Sequence, residues 1–207
     1  MFYNYFHFFY FLFLEHNSIR ILDAADYYQK FAWWDNPRYF RKEFYEPFQR
    51  DIFRLIEVVW LGFHLPIPDI PSGNHQLSIN VRLNKEEISE SFSSQPAKLE
   101  VRLLDSLNQE KKDSGPLISS TSISSGQWSL IARNIEMNHF DLPNGCSAIR
   151  TCDFQSDSSI SRDWVTIRLA PFSMEETRHV VFIWNDTQNQ EWKRGFSWDR
   201  IEINEFR

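Results

Sequence analysis

Glycine is scarce in this chain, with six residues in 207. No GxxxxGKS/T or GxGxxG string occurs, so the glycine-rich loops that hold nucleotide phosphates are excluded. An excess of basic charge is also missing, because 22 Lys and Arg residues face 28 Asp and Glu residues and the net charge is −6. A protein that binds a phosphate backbone needs clustered Lys and Arg. We therefore expect neither nucleotide chemistry nor a nucleic-acid partner.

The sequence also lacks the motifs that catalysis and metal binding usually require. None of the six His residues lies in an HExxH string, and neither a GxSxG elbow nor a DxDxDG calcium loop occurs. Adjacent carboxylates at Glu86–Glu87 and Glu175–Glu176 are typical of solvated turns. Glycoside hydrolysis needs two carboxylates facing each other across a cleft at about 5 to 9 Å. The sequence favours a binding protein without a cofactor or metal over an enzyme.

Cysteine is nearly absent, with Cys146 and Cys152 as the two occurrences. Two thiols at this spacing do not complete a zinc site, and a bridge between them would close a small loop that adds little stability. Secreted domains built on disulfides usually carry more cysteines. We expect two free thiols in a reducing compartment, with a disulfide and secretion as the open alternative.

The N-terminal string MFYNYFHFFYFLFL is strongly aromatic and contains no Lys, Arg, Asp or Glu. It has no positively charged start and no small-residue cleavage site, and it is too short to span a bilayer. We expect a buried strand or a fragment of an upstream region rather than a signal peptide, and no membrane partner. Residues 1–28 are accordingly interpreted as an N-terminal extension, and residues 29–207 as one domain.

Apolar residues are abundant, since hydrophobic residues make up 42% of the chain and aromatic residues 16%. Apolar and polar residues alternate as in half-buried strands over residues 75–83, 99–103, 165–169, 181–183 and 201–203. Weaker alternation occurs over residues 30–34, 58–65, 128–135 and 148–154. About eight or nine short strands with turns between them predict an all-β antiparallel sandwich or barrel. We expect Trp60, Trp164 and Trp198 in its core or turns.

Two segments depart from the alternation. Phe44, Phe48, Ile52 and Ile56 recur at four-residue spacing, and Pro47 stands where a first helical turn tolerates proline, so one short helix is predicted before the Trp60 strand. Residues 109–127 contain KKDSGP and a Ser/Thr run, which predict a long polar loop.

Five strings taken together resemble a known family. The most specific are WWDNPRYF at residues 33–40 and WKRGFSWDRIEI at residues 192–203. Between them lie IEVVWLGF at 56–63, IPSGNHQLSINVRL at 70–83 and RDWVTIRLAPF at 162–172. In order and spacing they are similar to the phloem protein 2 family, which includes the tobacco agglutinin-type lectins of plants. The resemblance spans roughly four fifths of the chain.

The resemblance implies a jelly-roll-like β-sandwich that binds N-acetylglucosamine oligomers or N-glycan cores in the cytoplasm and nucleus. Two aromatic positions of the first motif bind sugar in the lectin members, and they correspond here to Trp33 and Phe40. Phe40 stands where the lectins have Trp. The lectins also carry acidic residues ahead of the terminal motif, and the nearest candidate in this chain is Glu176.

The resemblance also implies partners, chiefly glycans or glycoproteins. Related proteins carry the domain alone, behind an F-box or attached to a kinase. An F-box upstream would add a ubiquitin-ligase scaffold as a partner, and a second copy of the chain would form a homodimer. The alternative function is the substrate-recognition half of an F-box ubiquitin-ligase adaptor, or a protein-interaction module that has lost sugar binding.

Overall fold

Alternating apolar and polar residues form antiparallel strands along most of the chain. The computed structural model describes residues 18–23, 39–84, 96–107, 114–133, 137–150, 164–186 and 192–206. The strands within these ranges are β1 Ser18–Asp23, β2 Phe40–Tyr45, β3 Arg50–Leu55, β4 Leu61–Ile70, β5 Gly73–Leu83, β6 Ala97–Leu104, β7 Leu117–Ile123, β8 His139–Asp141, β9 Ser147–Arg150, β10 Trp164–Arg168, β11 Phe172–Met174, β12 Arg178–Asp186 and β13 Phe196–Glu205.

In the described residues the strands form two sheets. The large sheet has the order β2-β3-β13-β5-β10-β9-β8, with β1 also paired to β13 and β11 to β5, and the small sheet has the order β4-β12-β6-β7. The inward-facing side chains of both sheets form one buried cluster. The predicted antiparallel β-sandwich is therefore confirmed.

Strand β1 lies ahead of residue 29, where the sequence led us to begin the domain. It pairs with β13 from Asp23 opposite Arg200 to Ser18 opposite Asn204. The sheet of the sandwich therefore extends into the segment that we interpreted as an extension.

The central strand β5 shows how the alternation sets the core. Leu77, Ile79 and Val81 are fully buried, while Asn80 and Arg82 between and beside them face outward and are half-buried. Since successive side chains of a strand point to opposite faces, one apolar row is enough to attach the sheet to the core. The five strongly alternating segments are all strands in the structure, as predicted.

The helix predicted before the Trp60 strand is wrong. Residues 40–55 form the hairpin of β2 and β3, joined by a short 3-10 turn at Glu46–Phe48 and by Gln49 in a left-handed conformation with φ 51°. A four-residue spacing fits one face of a strand as well as one face of a helix, because four is a multiple of the strand period of two. Pro47 lies in the turn between the strands.

The helix of the described chain, α1, spans Ser125–Arg133, where the sequence predicted a strand over residues 128–135. Ser124 and Gln127 form a capping box, in which the Gln127 amide donates to Ser124 Oγ at 3.3 Å and the Ser124 amide donates to Gln127 Oε1 at 2.8 Å. The helix buries Trp128, Ile131 and Ala132 against the core.

The predicted polar loop over residues 109–127 is also wrong, because it contains β7 and the start of α1.

The β2–β3 hairpin forms one edge of the large sheet and is held there by an ion pair whose carboxylate is buried. Arg50 donates from Nε and from one terminal nitrogen to the two carboxylate oxygens of Asp199, both at 2.6 Å, and Asn80 Nδ2 donates to the same carboxylate at 3.2 Å. Asp199 is fully buried. Beside this pair, the rings of Tyr45 and Phe48 pack on Trp164 at centroid distances of 5.5 and 4.9 Å. These contacts hold the hairpin that begins with Phe40.

Arg50→Ala should lower the free energy of unfolding by about 3 kcal/mol, because the buried Asp199 carboxylate loses its two shortest hydrogen bonds. Arg41→Ala is the control, since Arg41 pairs with Glu43 at the surface and should contribute less than about 1 kcal/mol. Urea unfolding followed by tryptophan fluorescence measures both. Equal losses in the two variants would show that the Arg50 pair does not hold the hairpin.

Candidate functional site

A groove opens at the end of the sandwich where strands β2 and β4 begin. It has a volume of about 290 Å³. The described residues that line it come from three separate segments and are Tyr39, Phe40, Val58, Val59, Trp60, Leu61, Gly62 and Trp192. We call it the aromatic groove.

Two exposed tryptophans flank the groove. Trp60 is 56% exposed and Trp192 is 52% exposed, whereas the other four described tryptophans are buried in the sandwich. Trp60 lies in the turn between the Val58 bridge and β4. Trp164 and Trp198 are buried. The expectation that these three tryptophans occupy the core or turns is therefore met. An indole with half its surface in solvent can offer a ring face to a ligand.

The floor of the groove is apolar and firmly held. Phe40 is 4% exposed and belongs to the main core, as does Leu61. The chain entering β2 is fixed by a hydrogen bond from the Ile56 amide to the Tyr39 carbonyl at 2.8 Å. Phe40 therefore contributes buried apolar lining, and the most exposed rings of the groove are those of the two tryptophans.

Two of the three residues predicted as a sugar site, Phe40 and Glu176, lie far apart. Trp33 lies outside the described residues. Phe40 lines the groove, near Leu61 at the start of β4, but Glu176 lies beyond the other end of β12, where Arg178 pairs with Ile70 at the end of β4. β4 is ten residues long, and at roughly 3.3 Å per residue its ends lie about 30 Å apart.

Glu176 has a surface environment. Its side chain is 73% exposed, and its carboxylate lies 3.8 Å from Arg178 Nε in a loose ion pair. Arg178 also approaches Asp105 at 3.4 Å. Such exposed pairs contribute little to stability, and the role of Glu176 in sugar binding stays a prediction.

Sequence reasoning missed two buried charged residues close to the segments that line the groove. Lys193 is fully buried, and its ammonium donates to the Val59 carbonyl and lies 3.7 Å from Asp186 Oδ2, an ionic distance too long for a hydrogen bond. Asp186 is also buried, on the inward face of β12 that Phe182 and Trp184 share. The alternation along β12 could have indicated that Asp186 is buried, because Asp186 lies on the same face of the strand as Phe182 and Trp184.

The electrostatics of Asp186 follow from its burial. Removal from water raises the pKa of this carboxyl to about 7 from its usual value of 3.8, and the attraction of Lys193 opposes the rise without cancelling it. Neither carboxylate oxygen has a hydrogen-bond partner in the described structure.

The part of the chain that the structure describes lacks two other kinds of feature. No group of three or more His, Cys, Asp or Glu side chains is arranged to hold a metal ion there. No helix in those ranges has the length and hydrophobicity that a membrane crossing requires. Cys146 is buried with a free thiol, whose sulfur accepts the Ala170 amide at 3.1 Å, and Cys152 lies outside the described residues.

Two antiparallel sheets packed on one core, with an aromatic groove at one end, define a β-sandwich. The profile of the family described as Phloem protein 2 matches residues 22–205. The chain belongs to the phloem protein 2 family. No curated protein sequence matches the chain.

Similar solved structures include two modules with low sequence identity. One is the C-terminal CBM6 of LamC, a marine laminarinase from Zobellia galactanivorans, at 10% identity, with a TM-score of 0.43, 90% of this chain and 98% of that chain covered. The other is a CBM61 module in complex with β-1,4-galactotriose, at 8% identity, with a TM-score of 0.37 and coverages of 91% and 87%. Both superpose only loosely on this chain.

Asp186→Asn should change the pH dependence of stability. Between pH 3.8 and about 7 the folded chain holds a proton on Asp186 that the unfolded chain has released. The unfolding free energy of the parent should therefore fall, relative to that of the variant, as the pH rises through this range. Denaturant titrations across the range test this, with the exposed Asp105→Asn as the control. Parallel profiles for parent and Asp186→Asn would contradict it.

Proposed function

We propose that the aromatic groove binds carbohydrate, and that its ligands are N-acetylglucosamine oligomers or N-glycan cores. The observation that carries the proposal is the pair of half-exposed indoles, Trp60 and Trp192, that line one groove together with apolar side chains. Membership of the phloem protein 2 family supports it, because the resemblance to the lectin members implies these sugars.

The physical basis is the stacking of aromatic rings on sugar rings. A pyranose has an apolar face of C–H groups, and an indole can cover that face while polar neighbours bond the hydroxyls. If half of roughly 200 Å² of ring surface is covered at about 25 cal/mol per Å², each stacked ring contributes about 2 to 3 kcal/mol. Two such rings are enough to hold an oligosaccharide weakly.

The lining of the groove favours a neutral sugar. None of the described lining residues carries a charge, and the nearby charges of Lys193 and Asp186 are buried and face each other. A sialic or uronic acid carboxylate in the groove would lose water without gaining a cationic partner among the described lining residues, which is unfavourable. N-acetylglucosamine, with an apolar face and an uncharged acetamido group, meets no such penalty.

The expected affinity of one groove is modest. Association costs at least about 4 kcal/mol in lost freedom of motion, so two stacked rings and a few hydrogen bonds give a Kd in the micromolar to millimolar range. Useful binding then needs a longer glycan or two linked grooves, which is the reason to propose a homodimer. The proposed setting remains the cytoplasm and nucleus, and an F-box upstream would direct glycoproteins to a ubiquitin-ligase scaffold.

Trp60→Ala and Trp192→Ala should each weaken the binding of chitotriose by roughly 30- to 150-fold, the equivalent of about 2 to 3 kcal/mol. Isothermal titration calorimetry measures the change after a glycan array has identified the ligands of the parent. Phe44→Ala is the matched control, since Phe44 is 53% exposed but does not line the groove. It should bind as the parent does.

Two further variants separate the groove from the residues predicted from sequence. Glu176→Gln should leave the affinity unchanged, because Glu176 lies at the opposite end of β12. Trp33→Ala should weaken binding if the first motif contributes a third ring. A folded parent that binds no neutral glycan contradicts the proposal and favours a protein-interaction module, and binding that survives both groove variants would move the site elsewhere.

A further inference from the structure

Lys193 is a buried ammonium directly beside an exposed indole. Neighbouring residues of an extended chain point to opposite sides, and here Trp192 flanks the groove while Lys193 is fully buried. The same dipeptide therefore contributes a wall of the groove and a charge in the interior behind it.

Lys193 is hydrogen-bonded to the segment that carries the other wall. Its amide donates to the Val58 carbonyl at 2.7 Å, and its carbonyl accepts the Val58 amide at 3.0 Å. Its ammonium donates to the Val59 carbonyl, and Trp60 follows Val59 in the chain. Three hydrogen bonds thus join the residue after Trp192 to the two residues before Trp60.

Burial of the Lys193 ammonium is an energetically unfavourable way to gain stability. A buried ammonium costs free energy unless it is paired and hydrogen-bonded. Its ionic partner Asp186 is 3.7 Å away, and neither Asp186 oxygen has a hydrogen-bond partner in the described structure. Replacing such a pair by apolar side chains of similar size is often neutral or stabilising. The position of the Lys193 hydrogen bonds is therefore more informative than their strength, because they reach the segment that carries Trp60.

We propose that Lys193 is a positioning residue of the aromatic groove: it fastens residues 58–59 to the Trp192 segment and so fixes the distance between the Trp60 and Trp192 indoles. The inference rests on the proposed sugar site, because a fixed distance between two ring faces selects ligands whose sugar rings have a matching separation. Preorganisation of this kind improves affinity by removing the cost of ordering the walls on binding.

The first test needs no ligand. Fluorine NMR of protein labelled with fluorotryptophan, assigned by single Trp→Phe variants, reports each indole separately. In Lys193→Met/Asp186→Asn, which removes both charges, the Trp60 and Trp192 resonances should shift and broaden. The resonances of the buried Trp128, Trp164 and Trp198 should stay in place, which separates a positioning role from a general loss of structure. Unchanged Trp60 and Trp192 resonances would overturn the proposal.

Two control variants isolate the bond to Val59. Asp186→Asn alone keeps the ammonium and its bond to the Val59 carbonyl, so the Trp60 and Trp192 resonances should stay near their parental positions. If this variant moves them as far as the double variant does, the ion pair and not Lys193 sets the indoles, and the proposal is wrong. Lys98→Met makes the same change at an exposed lysine of β6 and should leave all resonances unchanged.

The second test measures binding. The double variant should bind chitotriose about tenfold more weakly than the parent, with a melting temperature close to that of the parent. Parental affinity in the double variant would contradict the inference. If the parent binds no glycan but the fluorine shifts occur as expected, the proposed function fails while the positioning role of Lys193 stands.

A measurement on the parent covers the case in which the double variant does not fold. The amides of Val58 and Lys193 both donate across the bridge, so their hydrogen exchange should be slowed as in the sheets. Exchange of both amides at the rates of an unstructured chain would show that the two segments are not fastened, and would overturn the proposal.

Discussion

The stacking of aromatic rings between the two sheets is the contact on which the architecture depends. Trp198 of β13 lies against Phe63 of β4 with ring centroids 5.0 Å apart and planes 7° apart. Phe63 also stacks on Trp184 of β12, which stacks on Trp128 of the helix at 5.7 Å. A continuous row of rings thus joins the large sheet, the small sheet and α1. Phe63 lies two residues after Leu61 on β4, so the row includes a strand whose first residues line the groove.

The sequence predicted those parts of the fold that follow from burial on one face. In β5 the row of Leu77, Ile79 and Val81 can be satisfied only by a strand with one buried side. The hairpin of β2 and β3 was missed because a four-residue spacing is shared by strands and helices. The helix was missed although Ser124 and Gln127 form a capping box, since the surrounding serines also suit a loop. Local pattern alone does not decide between such alternatives.

The candidate site could be predicted from the sequence only in part. The two specific strings, at residues 33–40 and 192–203, lead to one place, because Tyr39, Phe40 and Trp192 line the same groove. The exposure of Trp60 was not predictable, since a tryptophan next to a strand can cap the core as readily as face solvent. The link from Lys193 to Val59 depends on a contact between residues more than a hundred positions apart, which no spacing in the sequence indicates.

The aromatic groove is assembled from segments near residues 39–40, 58–62 and 192, and this separation gives it a dependence on complete folding. Contacts between such distant segments form only when long stretches of chain have been brought together, so an unfolded chain holds no partial version of the site. A ligand that recognises the folded state alone stabilises it by mass action, by about 2.7 kcal/mol at a concentration one hundred times its Kd. A ligand bound in the groove would link segments that are far apart in the sequence by non-covalent contacts. These contacts form only after the last strand has paired with the sheet.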